Sequence, residues 1–209
     1  MTDYARRERS ELADLLLRVG PDAPTLCTGW ATRDLAAHLV VRERRPDASL
    51  AVLVPPLAGH GEHVRKEKAA RPYEQVVAEV RNPPWWSPVS NPVTDELFNA
   101  LEFVIHHEDV RRGTPGWAPR VLDAGQQKAI WNAVRLTARV GLRRLHLPVL
   151  LRAPGFGEVR IGGDSPQATL TGEPGELALF VSGRQRAARV EIDAPAETAE
   201  ALRTATLSL

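Results

Sequence analysis

The spacing of apolar residues changes at Pro148, and this change constrains the fold more than any other feature of the sequence. Before Pro148, apolar residues recur at helical spacing, as Leu12, Leu15 and Leu16 do. After it, short β-type runs are separated by glycine and proline turns. The chain is therefore predicted to be α+β, with an all-α domain over 1–148 and a small α+β domain over 149–209.

Start and stop signals place the individual elements. Thr32 and Asp123 are predicted helix N-caps, Pro148 ends the last long helix, and the proline-rich stretch 82–92 is predicted to be a loop. The predicted helices cover 3–19, 33–45, 62–71, 73–81, 94–112, 123–147, 175–181 and 195–206. The predicted strands cover 149–153, 158–161, 168–171 and 189–192.

Composition narrows the possible functions. The 209 residues include 27 basic and 26 acidic side chains, a net charge of +1, which gives no nucleic-acid or membrane signature. The single cysteine, Cys27, excludes an internal disulfide and fits a reducing compartment. The N-terminal stretch is charged rather than signal-like, and no run approaches transmembrane length. We expect a cytoplasmic protein, monomer or homodimer, whose partners are small molecules rather than nucleic acid or membrane.

The most reactive stretch is Asn99–Arg112, NALEFVIHHEDVRR. Within it, Glu102 and His106 are four residues apart, which places a carboxylate and an imidazole on one helix face, one turn apart. This spacing allows both side chains to bind one metal ion.

These two residues belong to a longer polar stripe. At 100° per residue, Asp95, Asn99, Glu102, His106 and Asp109 fall within about 80° of arc. Such a stripe is usually a solvated helix face. Here apolar residues flank it on both sides, which favours a position between packed helices, where carboxylate and imidazole must be paired or metal-bound.

A catalytic zinc ion usually has three protein ligands, so a third residue is needed. His38 lies in the middle of the second predicted helix, where it is either a hydrogen-bonded core residue or the third ligand. His60 and His63 lie in a predicted glycine-rich loop and are expected to be exposed. His107 points about 100° away from His106 and is expected on the outside.

Three segments carry a resemblance to a known family. CTGWATRDLAAHL, NALEFVIHHEDVRR and TGEPGELALFVSGR, in this order, resemble the DinB-like metal-binding family that includes mycothiol-dependent maleylpyruvate isomerase, in particular its subfamily with a HHEDVRR segment. The resemblance implies an N-terminal four-helix bundle and a small C-terminal domain. It implies His38, Glu102 and His106 as ligands of a divalent metal, usually zinc. Asp109 matches the family's acid three residues after the second histidine, in a position to orient His106.

The resemblance also implies a chemistry. Zinc would stabilise the thiolate of mycothiol for transfer to, or isomerisation of, a small electrophilic substrate, so no protein nucleophile is needed. Cys27 is interpreted as a small buried hydrophobic residue. Three residues are candidates for contact with the substrate: Arg184, whose charge suits an anionic substrate, Arg42, and Trp86 as a wall of the pocket. Each has an alternative: Arg184 in a solvated cluster, Arg42 paired with Glu102 or Asp34, Trp86 packed under its loop.

Two other functions stay open. The protein could be a metal-dependent hydrolase, in which Asp95 or Asp109 acts as general base. It could also be a non-enzymatic ligand-binding protein whose metal has a closed shell, completed by His63 or His107. Binding of a thiol cofactor would separate the first of these from the mycothiol hypothesis.

Overall fold

The computed structural model describes residues 3–45, 47–48, 58–84, 100–143 and 145–207. The chain divides into two compact units, Met1–Ala118 and Pro119–Leu209. The predicted boundary near residue 148 differs from this division. The long helix Ala124–Arg143 accounts for the difference, because it packs on a helix and a strand of the second unit.

The regular elements of the first unit, in the part that the structure describes, are helices. They are α1 Asp3–Val19, α2 Thr32–Arg44, α3 Ala58–Ala69, α4 Tyr73–Arg81 and α5 Ala100–Arg111. Pairs of these helices pack directly on one another: α1 on α4 and α5, and α2 on α3 and α4. Pro72 separates α3 from α4, as predicted, because proline cannot continue a helix but suits its start.

The core of the first unit is formed by the apolar faces of α1, α2, α4 and α5. The predicted spacing of α1 is confirmed, since Leu12 and Leu16 are fully buried. Each such side chain contributes roughly 1.5–3 kcal/mol when it leaves water. The buried set is Leu12, Ala13, Leu15, Leu16, Leu35, Ala36, Leu39, Val40, Val76, Val77, Val80, Phe103 and Val110.

A buried ion pair lies beside this core. The Arg9 guanidinium donates to the Glu43 carboxylate, with Nη1 2.9 Å from Oε2, and the same nitrogen donates to the Val80 carbonyl oxygen at 2.8 Å. Its guanidinium carbon lies 4.2 Å from the centre of the Phe103 ring. Both charged side chains are almost completely buried, and removal of either would leave an uncompensated buried charge.

Helix α2 begins one residue earlier than predicted. Thr32 is its first residue rather than its N-cap, and the Thr32 hydroxyl donates to the Gly20 carbonyl oxygen at 2.5 Å. The Asp34 carboxylate accepts the Ala31 N–H at 3.0 Å. This contact satisfies one of the amides at the helix start and places acidic charge at the positive end of the helix dipole.

The second unit contains a mixed sheet and three α-helices. The helices are α6 Ala124–Arg143, α7 Pro174–Val181 and α8 Ala196–Thr204, and the strands are β1 Val149–Ala153, β2 Gly157–Ile161, β3 Ala168–Thr171 and β4 Glu191–Asp193. The strand order is β2-β1-β3-β4, with β1 and β3 parallel and the outer pairs antiparallel. Helix α6 packs on α7 and β2, and the predicted cap is confirmed because Asp123 Oδ1 accepts the Gln126 N–H at 2.8 Å.

The described chain is therefore α+β and mostly helical, as predicted. Its β structure lies in the second unit, after Pro148. Among the described residues, none of the helices is both long enough and apolar enough to cross a membrane.

Candidate metal site

Glu102 lies at the centre of the candidate site. Its Oε1 lies 3.3 Å from His38 Nε2 of α2 and 3.1 Å from His106 Nε2, one turn further along α5. One ligand atom from each of the three residues lies within 4.8 Å of the others. The structure thus brings together the three side chains that the sequence analysis identified as candidate ligands.

The two imidazoles reach Glu102 from different helices. Glu102 and His106 share a face of α5 because they are separated by four residues. His38 comes from α2, and its ring packs edge to face against that of His106, with centres 5.2 Å apart and planes at 72°. Neighbouring residues Ala37 and Leu39 are buried, so α2 is anchored in the core and His38 lies at the edge of it.

Asp109 contacts the far side of the His106 ring. Its Oδ2 lies 2.9 Å from His106 Nδ1, and the Asp109 side chain is completely buried. A neutral imidazole has one N–H, and the carboxylate favours placing it on Nδ1. The Nε2 lone pair then faces Glu102, as a metal ligand requires. The geometry agrees with the orienting role expected for Asp109.

The ionisation of the group follows from these contacts. Burial lowers the pKa of His106, but hydrogen bonds with Asp109, Cys27 and Glu102 outweigh burial and raise it well above 6.5. Burial raises the pKa of Glu102, but hydrogen bonds from His106 and His38 outweigh burial and leave it well below its usual 4.5. In this metal-free arrangement, His106 and Glu102 are an imidazolium–carboxylate pair at neutral pH.

His38 differs from His106 in its charge. Desolvation lowers its pKa below 6.5 despite the hydrogen bond to Glu102, and the nearby His106 and Arg42 charges act in the same direction as desolvation. His38 is therefore neutral at pH 7, the charge state in which an imidazole binds a metal.

Arg42 is a further cation beside the Glu102 carboxylate. Its Nε lies 3.6 Å from Glu102 Oε1, so it offsets the charge of Glu102, one of the roles considered for it. Asp34, its other candidate partner, accepts from Arg65, with Nη1 2.6 Å from Oδ1.

Trp30 and Arg65 are neighbours of the site that the sequence analysis missed. The Trp30 ring centre lies 5.2 Å from that of His38, and the Arg65 guanidinium carbon lies 4.8 Å from the centre of the Trp30 ring. Trp30 therefore forms one wall beside His38. The only signal in the sequence was the Gly29-Trp30 pair just ahead of α2; the tryptophan expected as a wall, Trp86, lies outside the described residues.

The ligand side chains are reachable from solvent on one side. His38 and Glu102 keep 27% and 28% of their side-chain surface exposed, whereas His106 keeps 8%. The His38 and Glu102 side of the group is therefore the side from which a metal ion or small molecule can approach, and the Asp109 side is closed.

The prediction that His107 lies on the outside is wrong. His107 is buried, with its Nδ1 2.7 Å from Glu8 Oε1, because α5 packs on α1 along that face. His60 and His63 are exposed as expected, but they lie within helix α3 rather than in a loop.

Cys27 contacts a residue of the candidate site as well as the apolar core. It packs against the core of the first unit while partly buried, and its Sγ lies 3.1 Å from Asp109 Oδ2, within reach of a hydrogen bond. The contact joins residues 82 positions apart, so the sequence offered no signal for it.

The remaining candidate residues belong to the second unit or lie outside the described residues. Arg184 belongs to the second unit, where its guanidinium donates to the Ser182 carbonyl oxygen at 2.5 Å. The helix start predicted at Thr94, together with Asp95 and Asn99 of the polar stripe, lies outside the described residues.

Comparison of the chain with models of known protein families, with curated proteins and with solved structures finds no match in any of the three.

Proposed function

We propose that this protein binds one divalent metal ion, zinc in preference, through His38, Glu102 and His106. The observation that carries the proposal is the convergence of three ligand atoms from two helices within 4.8 Å. Two imidazole nitrogens and one carboxylate oxygen are donors that zinc accepts, and a set of three leaves one coordination position open.

We further propose that the protein is a metal-dependent enzyme of DinB-like fold, which acts on a low-molecular-weight thiol. The thiol is mycothiol. Its sulfur forms a bond to an electrophilic carbon of a small substrate; in transfer the mycothiol stays attached and a leaving group departs, and in isomerisation the mycothiol is eliminated again after rotation. When bound, the ion supplies the Lewis acidity that favours a thiolate over a thiol at neutral pH. The resemblance of the three sequence segments supports this step.

The chain's own residues have defined parts in this proposal. Asp109 holds the proton of His106 at Nδ1, Arg42 offsets the charge of Glu102, and Trp30 borders the approach to His38. Cys27 contacts Asp109, which leaves an external thiol as the source of sulfur. Arg184 and Trp86 remain proposed substrate contacts.

The contacts of the remaining acids and histidines favour this proposal over the two rivals. A general base for hydrolysis needs an accessible carboxylate. Of the two candidate bases, Asp95 lies outside the described residues, and Asp109 is fully buried with its Oδ2 accepting from His106 and Cys27. A closed four-ligand shell was expected to use His63 or His107. His63 is exposed beside Glu67 and His107 contacts Glu8.

Metal analysis tests the first half of the proposal. We expect the purified protein to hold about one equivalent of zinc, and His106→Ala to hold almost none. His107→Ala is the matched control, because it removes the adjacent buried imidazole from the same helix and is expected to keep the metal. A wild-type content below about half an equivalent after zinc loading would overturn the proposal.

Cobalt substitution tests the second half. Addition of mycothiol to the cobalt protein is expected to produce a sulfur-to-cobalt charge-transfer band, because thiolates are strong ligands of such ions. A cobalt spectrum that mycothiol leaves unchanged, while hydrolysis of an ester probe proceeds, would instead favour the hydrolase.

A further inference from the structure

The segment Pro24–Ala31 is tied to the C-terminal end of α5. The Leu26 N–H donates to the Asp109 carbonyl oxygen at 3.0 Å. At Gly113, just after α5, a Cβ would collide with the Pro24 carbonyl, so only glycine permits this close approach. Pro24 and Ala31 form an antiparallel bridge that closes the segment. Cys27 is thereby held in a fixed place beside Asp109.

Within this segment, the Cys27 thiol and the His106 imidazole share one acceptor. Asp109 Oδ2 lies 3.1 Å from Cys27 Sγ and 2.9 Å from His106 Nδ1. Asp109 is fully buried, so its orientation is determined by protein contacts rather than by water. The three side chains form a continuous series that ends at the Nε2 atom facing Glu102.

We propose that Cys27 is a positioning residue of the metal site, which acts through Asp109 on His106. This inference rests on the proposed metal-binding function. The thiol donates to Oδ2, keeps the carboxylate turned towards His106 Nδ1, and so keeps Nε2 available as a ligand. Cys27, His106 and Asp109 also have potential ligand atoms within 4.8 Å of one another, but in this proposal Cys27 acts as a donor to Asp109 rather than as a metal ligand or a nucleophile.

The size of the effect follows from the chemistry of the contact. Removal of a group that orients a metal ligand typically lowers metal affinity 10- to 100-fold. Cys27 Sγ also lies within 4.8 Å of a His106 ring nitrogen, but its 3.1 Å contact is with Asp109, and a thiol is a weak donor. Cys27→Ala is therefore expected to weaken zinc binding about threefold to tenfold. Cys27→Ser retains a donor and is expected to bind zinc nearly as tightly as wild type.

A double-mutant cycle distinguishes this role from a purely structural one. Zinc affinity is measured by competition with a chelating dye for wild type, Cys27→Ala, Asp109→Asn and the double variant. If Cys27 acts through Asp109, its removal has no further effect on zinc affinity once Asp109 is replaced. A general loss of packing would instead lower affinity in both backgrounds. Melting of the metal-free proteins reports any structural loss separately.

A second measurement uses the wild-type protein alone. Because coupling is reciprocal, zinc should strengthen the Cys27–Asp109 contact by the factor by which the contact strengthens zinc binding. Where the Cys27–Asp109 contact opens and closes rapidly before alkylation, the rate follows the open fraction, and zinc is expected to slow alkylation of Cys27 by iodoacetamide about threefold to tenfold. Cys27 is the single cysteine of the chain, so the mass increase reports this residue alone. Zinc should have no such effect on His106→Ala.

The outcomes separate the two proposals. If wild type fails to bind zinc, the proposed function fails and this inference fails with it. If wild type binds zinc but Cys27→Ala binds equally well, or Cys27→Ser is as weak as Cys27→Ala, only the positioning role is overturned. If Cys27→Ala does not fold, the zinc affinity of Cys27→Ser and the alkylation rates of wild-type Cys27 test the positioning role instead. An alkylation rate that zinc leaves unchanged would overturn that role.

Discussion

His106 and His107 are adjacent in α5, and both are buried against a carboxylate, yet their surroundings differ. His106 faces Glu102, which also contacts a second imidazole from α2. His107 faces Glu8 of α1 in a tight pair, with 7% and 1% of the two side chains exposed. Glu11 adds a third possible ligand beside Glu8 and His107, but its side chain is half exposed and also lies 4.0 Å from Arg7.

Three features distinguish the candidate metal site at His106 from the buried pair at His107. Burial and a contacting carboxylate are common to both histidines, so neither identifies a site. His106 alone combines a second histidine near the same oxygen atom, an orienting carboxylate on Nδ1, and ligand side chains that solvent reaches. We interpret the His107 pair as a contact that holds α1 against α5.

Replacement of each of the two histidines by alanine is the strongest test of this difference. His106→Ala is expected to weaken zinc binding by about 100-fold or more, since structural zinc sites with four protein ligands bind the ion with roughly 10–16 kcal/mol, an average of about 2.5–4 kcal/mol per ligand. His107→Ala should leave zinc affinity within about twofold of wild type. Competition titrations on both variants measure this. Equal losses of zinc affinity in the two variants would contradict the different roles given to His106 and His107.

Replacement of Asp109 tests whether the orienting carboxylate matters. Asp109→Asn keeps the shape of the side chain but removes its charge, and it is expected to lower zinc affinity about 10- to 100-fold. Glu8→Gln is the matched control on the His107 side and should leave zinc affinity unchanged. An Asp109→Asn variant with wild-type affinity would show that the ring of His106 needs no such support.

The same control variant should affect stability instead. Glu8→Gln is expected to lower the free energy of unfolding by about 1–3 kcal/mol, because it leaves His107 buried with a weaker partner. Urea denaturation of the metal-free proteins measures the difference. Glu102→Gln provides the contrast: its side chain is more exposed than that of Glu8, so a smaller loss of stability is expected. A larger loss for Glu102→Gln would contradict the structural role given to the His107 pair.

Metal binding and the stability of the metal-free protein should depend on pH in opposite ways. The pKa of His106 is raised in the fold, so at pH 7 His106 must lose a proton before it binds metal. We expect about one proton released per zinc bound at pH 7, and affinity that falls about tenfold per pH unit below the pKa of His106. Calorimetric titration in buffers of different ionisation enthalpy measures the proton count. Zero protons released would contradict the imidazolium assignment.

Without metal, the raised pKa of His106 means that its contribution to stability is complete below about 6.5 and is lost as pH rises through the folded-state value. Glu102 acts in the other direction. Its pKa is lowered in the fold, so its contribution is present above its usual 4.5 and is lost as pH falls through the folded-state value. The metal-free protein should therefore be most stable in mildly acidic solution, which urea denaturation across pH can measure.

The sequence predicted what depends on local spacing. Helix α1 was predicted with its observed bounds, because its apolar residues repeat every turn and Gly20-Pro21 ends it. The Glu102 and His106 pair needed only the pitch of one helix. Strands β1 and β3 were also predicted with their observed bounds.

What the sequence could not predict depends on which faces meet. The burial of His107 requires Glu8, 99 positions away, and nothing in the HHEDVRR segment indicates that α5 is covered on that face. Helix α6 has a clear apolar stripe that includes Trp131 and Leu142, but a stripe does not specify its partner. The boundary near 148 followed from the change in periodicity, whereas packing of α6 on α7 sets the division at 118.

The surroundings of Glu102 have a consequence for the order of folding and metal binding. Its Oε1 already has His38, His106 and Arg42 around it, and the apolar core lies among other residues of the same helices. The charged groups of the site therefore balance one another without a metal ion, and the chain can fold before it binds one. Metal binding would then follow folding and be reversible. A chelator should remove the ion and leave a folded protein that can bind the metal again.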